Sequence, residues 1–129
     1  MSFPTAKKAR PLSPHLHIYK PQLTSAMSIF HRITGVGLSV GLILFVVWLA
    51  ALASGPQSYN EFNSYAHSLI GQIFLFGLTW AFCYHFCTGI RHLMWDAGKG
   101  LDIQSVYKTG YMALAASTLL TVAIWFALI

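Results

Sequence analysis

Three stretches without one charged side chain govern what this chain can become. Residues 33–60, 62–90 and 109–129 contain no Asp, Glu, Lys or Arg and run for 28, 29 and 21 residues. A helix needs roughly 20 mostly apolar residues to cross the hydrocarbon of a bilayer. Each stretch therefore holds one crossing, and 129 residues leave no room for a fourth. Only 9% of the residues are charged, against about 25% in an average soluble domain. That excludes a soluble enzyme, a disordered tail and a secreted disulfide scaffold. The pattern also speaks against a membrane β-barrel, because the stretches lack period-two alternation in ~10-residue pieces. The expected fold is all-α and integral to the membrane, one membrane domain over residues 1–129. A polar segment over 1–24 precedes transmembrane helices at about 26–53, 62–94 and 106–129.

The few charges set an expected topology. Lys7, Lys8, Arg10, Lys20 and Arg32 precede the first long apolar run, Glu61 stands alone in the first loop, and Arg91, Lys99 and Lys108 mark the second. Basic loops stay in the cytoplasm, so the N-terminus and second loop are expected inside and the C-terminus in the periplasm. The net charge of +5 does not imply nucleic-acid binding, because the basic residues flank the spans. No short apolar signal follows the basic start, and Pro4, Pro11, Pro14 and Pro21 break any amphipathic transit helix. The expected location is a bacterial inner membrane.

Local signals refine the elements. Thr24 or Ser25 is expected to cap the first helix, and Ser54-Gly55-Pro56 to stop it. Membrane helices associate through small residues and interhelical hydrogen bonds. Gly37-x-x-x-Gly41 offers such a face on the first span. Gly110, Ala113, Ser117 and Thr121 form a second on the third span, within ~80° of one another at 100° per residue. Cys83 and Cys87 lie one turn apart in the second span and read as small buried apolar residues.

Two polar stripes remain. His85, Gly89, His92 and Asp96 share one face of the second span, with Ala81 one turn before His85. His85 sits six residues inside Arg91, within the hydrocarbon zone, where ionisable residues are costly and usually functional. Ala81 and Gly89 clear space for a flat macrocycle, so haem ligation by a neutral imidazole is one reading. A histidine hydrogen-bonded to another helix's carbonyl is the other, and geometry alone leaves both open. Ser28, Arg32, Gly35 and Ser39 make a stripe on the first span, flanked by His31. A hydroxyl and a guanidinium one turn apart suit a quinone head group; a helix-start residue and a membrane anchor are the other reading, and the residues alone leave both open. His67 lies about 27 Å along the helix from His85 and cannot share a haem with it. With Tyr59 and Tyr65 it reads as an interfacial belt. His15 and His17 precede any span.

Three segments carry a family resemblance: Arg10-Pro-Leu-Ser-Pro-His-Leu-His-Ile-Tyr19, then Leu23-Thr-Ser-Ala-Met-Ser-Ile-Phe-His-Arg-Ile-Thr-Gly35, and Tyr84-His-Phe-Cys-Thr-Gly-Ile-Arg-His-Leu-Met-Trp-Asp96. The chain resembles, over essentially its full length, the cytochrome b membrane anchor of succinate dehydrogenase, respiratory complex II, in its alphaproteobacterial and mitochondrial branch. The resemblance implies that His85 is an axial ligand of one haem b, shared with the smaller anchor subunit, which donates the second ligand. It implies that Ser28 and Arg32 lie at the ubiquinone site. It places His31, Arg91 and His92 near the haem propionates. Electrons from succinate would arrive through a flavoprotein subunit and an iron–sulfur subunit and reduce ubiquinone. No carboxylate dyad, phosphate loop or iron–sulfur cysteine set is present, so this chain alone is not expected to oxidise succinate. A proton relay through His85, His92 and Asp96, or a purely structural anchor, are the rival readings.

Overall fold

The computed structural model describes residues 20–128. It is all-helical, with α1 over Leu23–Ala53, α2 over Pro56–Ala66, α3 over Leu69–Asp96 and α4 over Ile103–Leu128. The expected three spans are α1, α3 and α4, each long and apolar enough to cross a membrane. Their 31, 28 and 26 residues exceed the ~20 that span the hydrocarbon, so their ends reach into the interfaces. The basic residues Lys7, Lys8 and Arg10, with His15 and His17, lie outside the described residues.

The expected caps and boundaries are corrected at three places. The N-cap of α1 is Gln22, extended at φ −79° and ψ 148°, without a side-chain cap; neither Thr24 nor Ser25 holds that position. The helix starts early because Leu23 and Met27 pack against α4 at Gly110, so burial rewards one more turn. The second correction divides the helix expected from 62. α2 ends at Ala66 with His67 as its C-cap, and Ser68 turns extended and caps α3, its Oγ accepting from Gly71 N at 3.1 Å. α2 is rich in Gln, Asn and Ser, so it cannot enter hydrocarbon. Third, α4 begins three residues earlier than expected. Asp102 Oδ2 accepts from Ser105 N at 2.9 Å, which satisfies an orphan first-turn N–H.

Other signals hold. Ser54 closes α1, its N–H donating to Ala50 O, and Gly55 takes φ +108° ahead of Pro56. A side chain rarely adopts that φ, and Pro suits the first position of a helix.

α3 stands between α1 and α4 and packs against both. The interior is more polar than the exterior. Buried residues include Thr34, Thr88, Arg91, Ser117 and Thr121 beside Met27, Cys83, Tyr84 and Ala113. Each buried Ser or Thr hydroxyl donates to a carbonyl of its own helix, as Thr121 does to Ser117 O at 2.8 Å and Ser117 to Leu114 O at 2.9 Å. Ile29, Ile33, Val36, Ile43 and Leu119 face outward, as lipid requires.

The small stripe of α4 is borne out: Gly110, Ala113, Ser117 and Thr121 are that helix's buried residues. The glycine pair of α1 divides. A Cβ at Gly41 would come within 2.8 Å of Leu78, whereas one at Gly37 would meet nothing within 4 Å. The seam of α1 instead runs through Met27, Thr34 and Gly41, a spacing that suits near-parallel helix packing. Cys83 is buried and Cys87 half-buried, both as free thiols.

Candidate functional site

The site lies where α1 crosses α3 near the end marked by Arg32 and Lys99. Two successive turns of α1 supply His31, Thr34 and Gly35; α3 supplies His85, Thr88, Gly89 and His92. The His31 and His85 rings stack with centroids 3.9 Å apart and planes 10° from parallel. His92 meets His31 edge-on at 4.9 Å.

Hydrogen bonds determine which nitrogens carry protons. His85 Nδ1 lies 3.0 Å from the His31 carbonyl oxygen. A carbonyl only accepts, so Nδ1–H is the donor, and Nε2 of the neutral ring keeps its lone pair. Thr34 Oγ1 is a second acceptor at 3.3 Å, its own proton going to the carbonyl of Phe30 or His31, each 2.9 Å away. Thr88 donates to Tyr84 O at 2.7 Å. Its oxygen therefore accepts from His31 Nδ1–H, also at 2.7 Å.

Ring contacts continue toward Arg91. His92 packs edge-on against Trp95 at 5.2 Å, and the Arg91 guanidinium carbon lies 4.1 Å from the Trp95 ring centroid. Arg91 itself is buried and turned to α4. Its Nε donates to Thr109 Oγ1 at 3.1 Å, Nη2 to Val106 O at 2.7 Å, and Nη1 points at Met27 Sδ at 3.9 Å. Arg91 thus joins the histidine group through Trp95, with its polar hydrogens directed to the helix interface. Tyr84 ties the same region together, donating to Met27 O at 2.9 Å.

Ser28 is half-buried and Arg32 exposed, with neither drawn into the histidine group. Arg32 is left facing out of this chain, and Ser28 lies one turn before it on the same stripe of α1. Asp96 is exposed at the end of α3. Sequence reasoning missed Thr34, Thr88 and Trp95. The available signal was a hydroxyl three residues after each histidine, Thr34 after His31 and Thr88 after His85.

Several features fit a haem with one axial ligand from this chain. His85 is half-buried, with Nδ1 engaged and the lone pair of Nε2 left available. One turn on, a Cβ at Gly89 would meet nothing within 4 Å, so the surface beside the imidazole is open to a flat group. At the opposite end, α1, α2 and α3 enclose an apolar groove of about 700 Å³ between Phe45, Trp48, Phe62 and Phe74.

Comparison with known proteins gives a consistent answer. A family described as the succinate dehydrogenase/fumarate reductase transmembrane subunit matches residues 6–124. The chain is 44% identical over 116 residues to the succinate dehydrogenase cytochrome b556 subunit of Rickettsia typhi, covering 90% of each. It is 41% identical over 113 residues to the cytochrome b556 subunit of Paracoccus denitrificans, covering 88% of this chain and 87% of the relative. Against the cytochrome b560 subunit of Reclinomonas americana it is 44% identical over 122 residues, covering 90% and 84%.

Proposed function

The chain belongs to the succinate dehydrogenase/fumarate reductase transmembrane subunit family, and from that premise we infer that it anchors succinate:ubiquinone oxidoreductase in the membrane as its cytochrome b subunit. The observation that carries the haem part of this reading is the engagement of His85 Nδ1 by a backbone carbonyl. That bond leaves the Nε2 lone pair of His85 as the one that would hold haem b, with the smaller anchor subunit supplying the other protein ligand. When bound, the haem supplies a one-electron carrier. His31 and His92 stand beside His85 and serve the propionate neighbourhood. Arg91 contributes there by holding Trp95 and α4 in place.

Ser28 and Arg32 offer a hydroxyl and a guanidinium to the carbonyl oxygens of ubiquinone. Their support is their position one turn apart on one face of α1 near the interface, with Arg32 exposed and Ser28 half-buried. The flavoprotein and iron–sulfur subunits dock on the basic end and deliver electrons from succinate. The N-terminus and the α3–α4 turn are cytoplasmic, the C-terminus is periplasmic, and the membrane is the bacterial inner membrane.

The test is the visible spectrum of the purified complex. Reduced wild-type complex shows a b-type α-band, and His85→Ala abolishes it. An unchanged spectrum in the variant overturns the ligand assignment.

A further inference from the structure

We propose that a notch in α1, made by Gly35, the His31 carbonyl and the Thr34 hydroxyl, positions His85 and sets the redox potential of the haem it binds. The proposal rests on the reading of His85 as an axial ligand and assigns roles to Gly35 and Thr34 as positioning residues. Gly35 creates the notch. A Cβ there would lie 3.0 Å from His85 Cε1 and 3.6 Å from Nδ1, so the ring would have to give way by a few tenths of an ångström. Without that side chain the imidazole lies close against the backbone of α1. That closeness brings Nδ1 to 3.0 Å from the His31 carbonyl.

The notch also fixes the ring chemically. Nδ1–H faces two acceptors, the carbonyl at 3.0 Å and Thr34 Oγ1 at 3.3 Å. Both favour the Nδ1–H tautomer and draw the proton outward, which makes Nε2 a more basic ligand. The His31 ring, stacked on His85 and held through Thr88, closes one face against rotation. A more basic imidazole stabilises ferric over ferrous iron, so an intact notch keeps the haem potential low.

The experiment uses the assembled complex with Gly35→Ala, Thr34→Val, Thr34→Ser and His85→Ala. Haem per complex, the haem midpoint potential and the low-spin signal of the oxidised haem are measured. Gly35→Ala is expected to weaken haem retention about tenfold, in the range lost when an outer partner of a metal ligand is removed. A tenfold preferential loss of the ferric form raises the potential by about 59 mV. Thr34→Val shifts it in the same direction by less, and Thr34→Ser returns it to the wild-type value. Where Gly35→Ala fails to assemble, the isosteric Thr34→Val and its Ser counterpart decide. A wild-type potential and retention in Thr34→Val, with the α-band lost in His85→Ala, overturns the notch and leaves the ligand reading standing. A band that survives His85→Ala overturns the ligand reading itself.

Discussion

At the scale of single residues, the two readings of His85 that the sequence left open are compatible. One needs a carbonyl partner from another helix, and the structure supplies it through Nδ1. The other needs a free ring nitrogen, which the first bond leaves at Nε2. Periodicity along α3 placed His85 and His92 on one face but said nothing of α1. The partners Thr34 and His31 are more than 50 residues away in sequence, so no local pattern announces them. Arg91 shows the same limit in reverse. Its position at a span border predicts an anchor, yet its hydrogens go to Thr109 and to the Val106 carbonyl. Arg91→Lys keeps the charge but cannot reproduce the planar fork over Trp95. It is expected to cost about 1–3 kcal/mol, read as a lower thermal midpoint of the complex with the α-band position retained. Arg32, exposed and outside the seam, predicts a different outcome. Arg32→Leu should lower quinone reductase activity about tenfold or more while leaving succinate oxidation by an artificial dye intact, because one charge-assisted hydrogen bond is worth about 1.5–3 kcal/mol. Equal loss of both activities would show failed assembly instead.

At the scale of elements, charge-free stretches counted the spans correctly but concealed a break. Residues 62–90 lack charge throughout, yet Ser68 ends one helix and caps the next. Absence of charge reports solubility in lipid; it does not report helix continuity, which here depends on one serine side chain and on polar α2. The α4 stripe was legible because small residues at helical spacing have one physical use in a membrane. The glycine pair in α1 was only half legible, because the approach of α3 selects Gly41 and Gly35 over Gly37. The cap of α4 gives a pH prediction. The Ser105 backbone N–H, then its side chain, hold the Asp102 carboxyl below its ordinary value. A depressed folded pKa stabilises α4 above the unfolded value and loses that contribution as pH falls through the folded one. Asp102→Asn keeps a cap that does not titrate. Thermal melts of wild type should therefore lose more than those of the variant as pH drops below about 4, the ordinary carboxylate range.

At the scale of the whole molecule, three helices are long and apolar enough to cross the membrane, and an odd number of crossings predicts ends on opposite faces. A reporter fused after Ile129 should be active in the periplasm and one at the N-terminus in the cytoplasm; both on one side would contradict the span count. The fold carries little apolar core, and its most buried side chains are Tyr84, Thr121 and Ser117. Greasy residues cover the outside instead, so lipid and neighbouring subunits supply much of the surroundings that a soluble domain finds within itself.

Arg91 also bears on how the chain enters the bilayer. Its guanidinium has no carboxylate partner among the described residues, and its main hydrogen-bond acceptors come from α4, which is synthesised after it. During translation α3 therefore presents an unmatched cation until α4 emerges. Insertion of the two as a hairpin removes that penalty in one event. A nascent chain halted before Val106 should linger at the insertion machinery, and one extended past Thr109 should release into lipid.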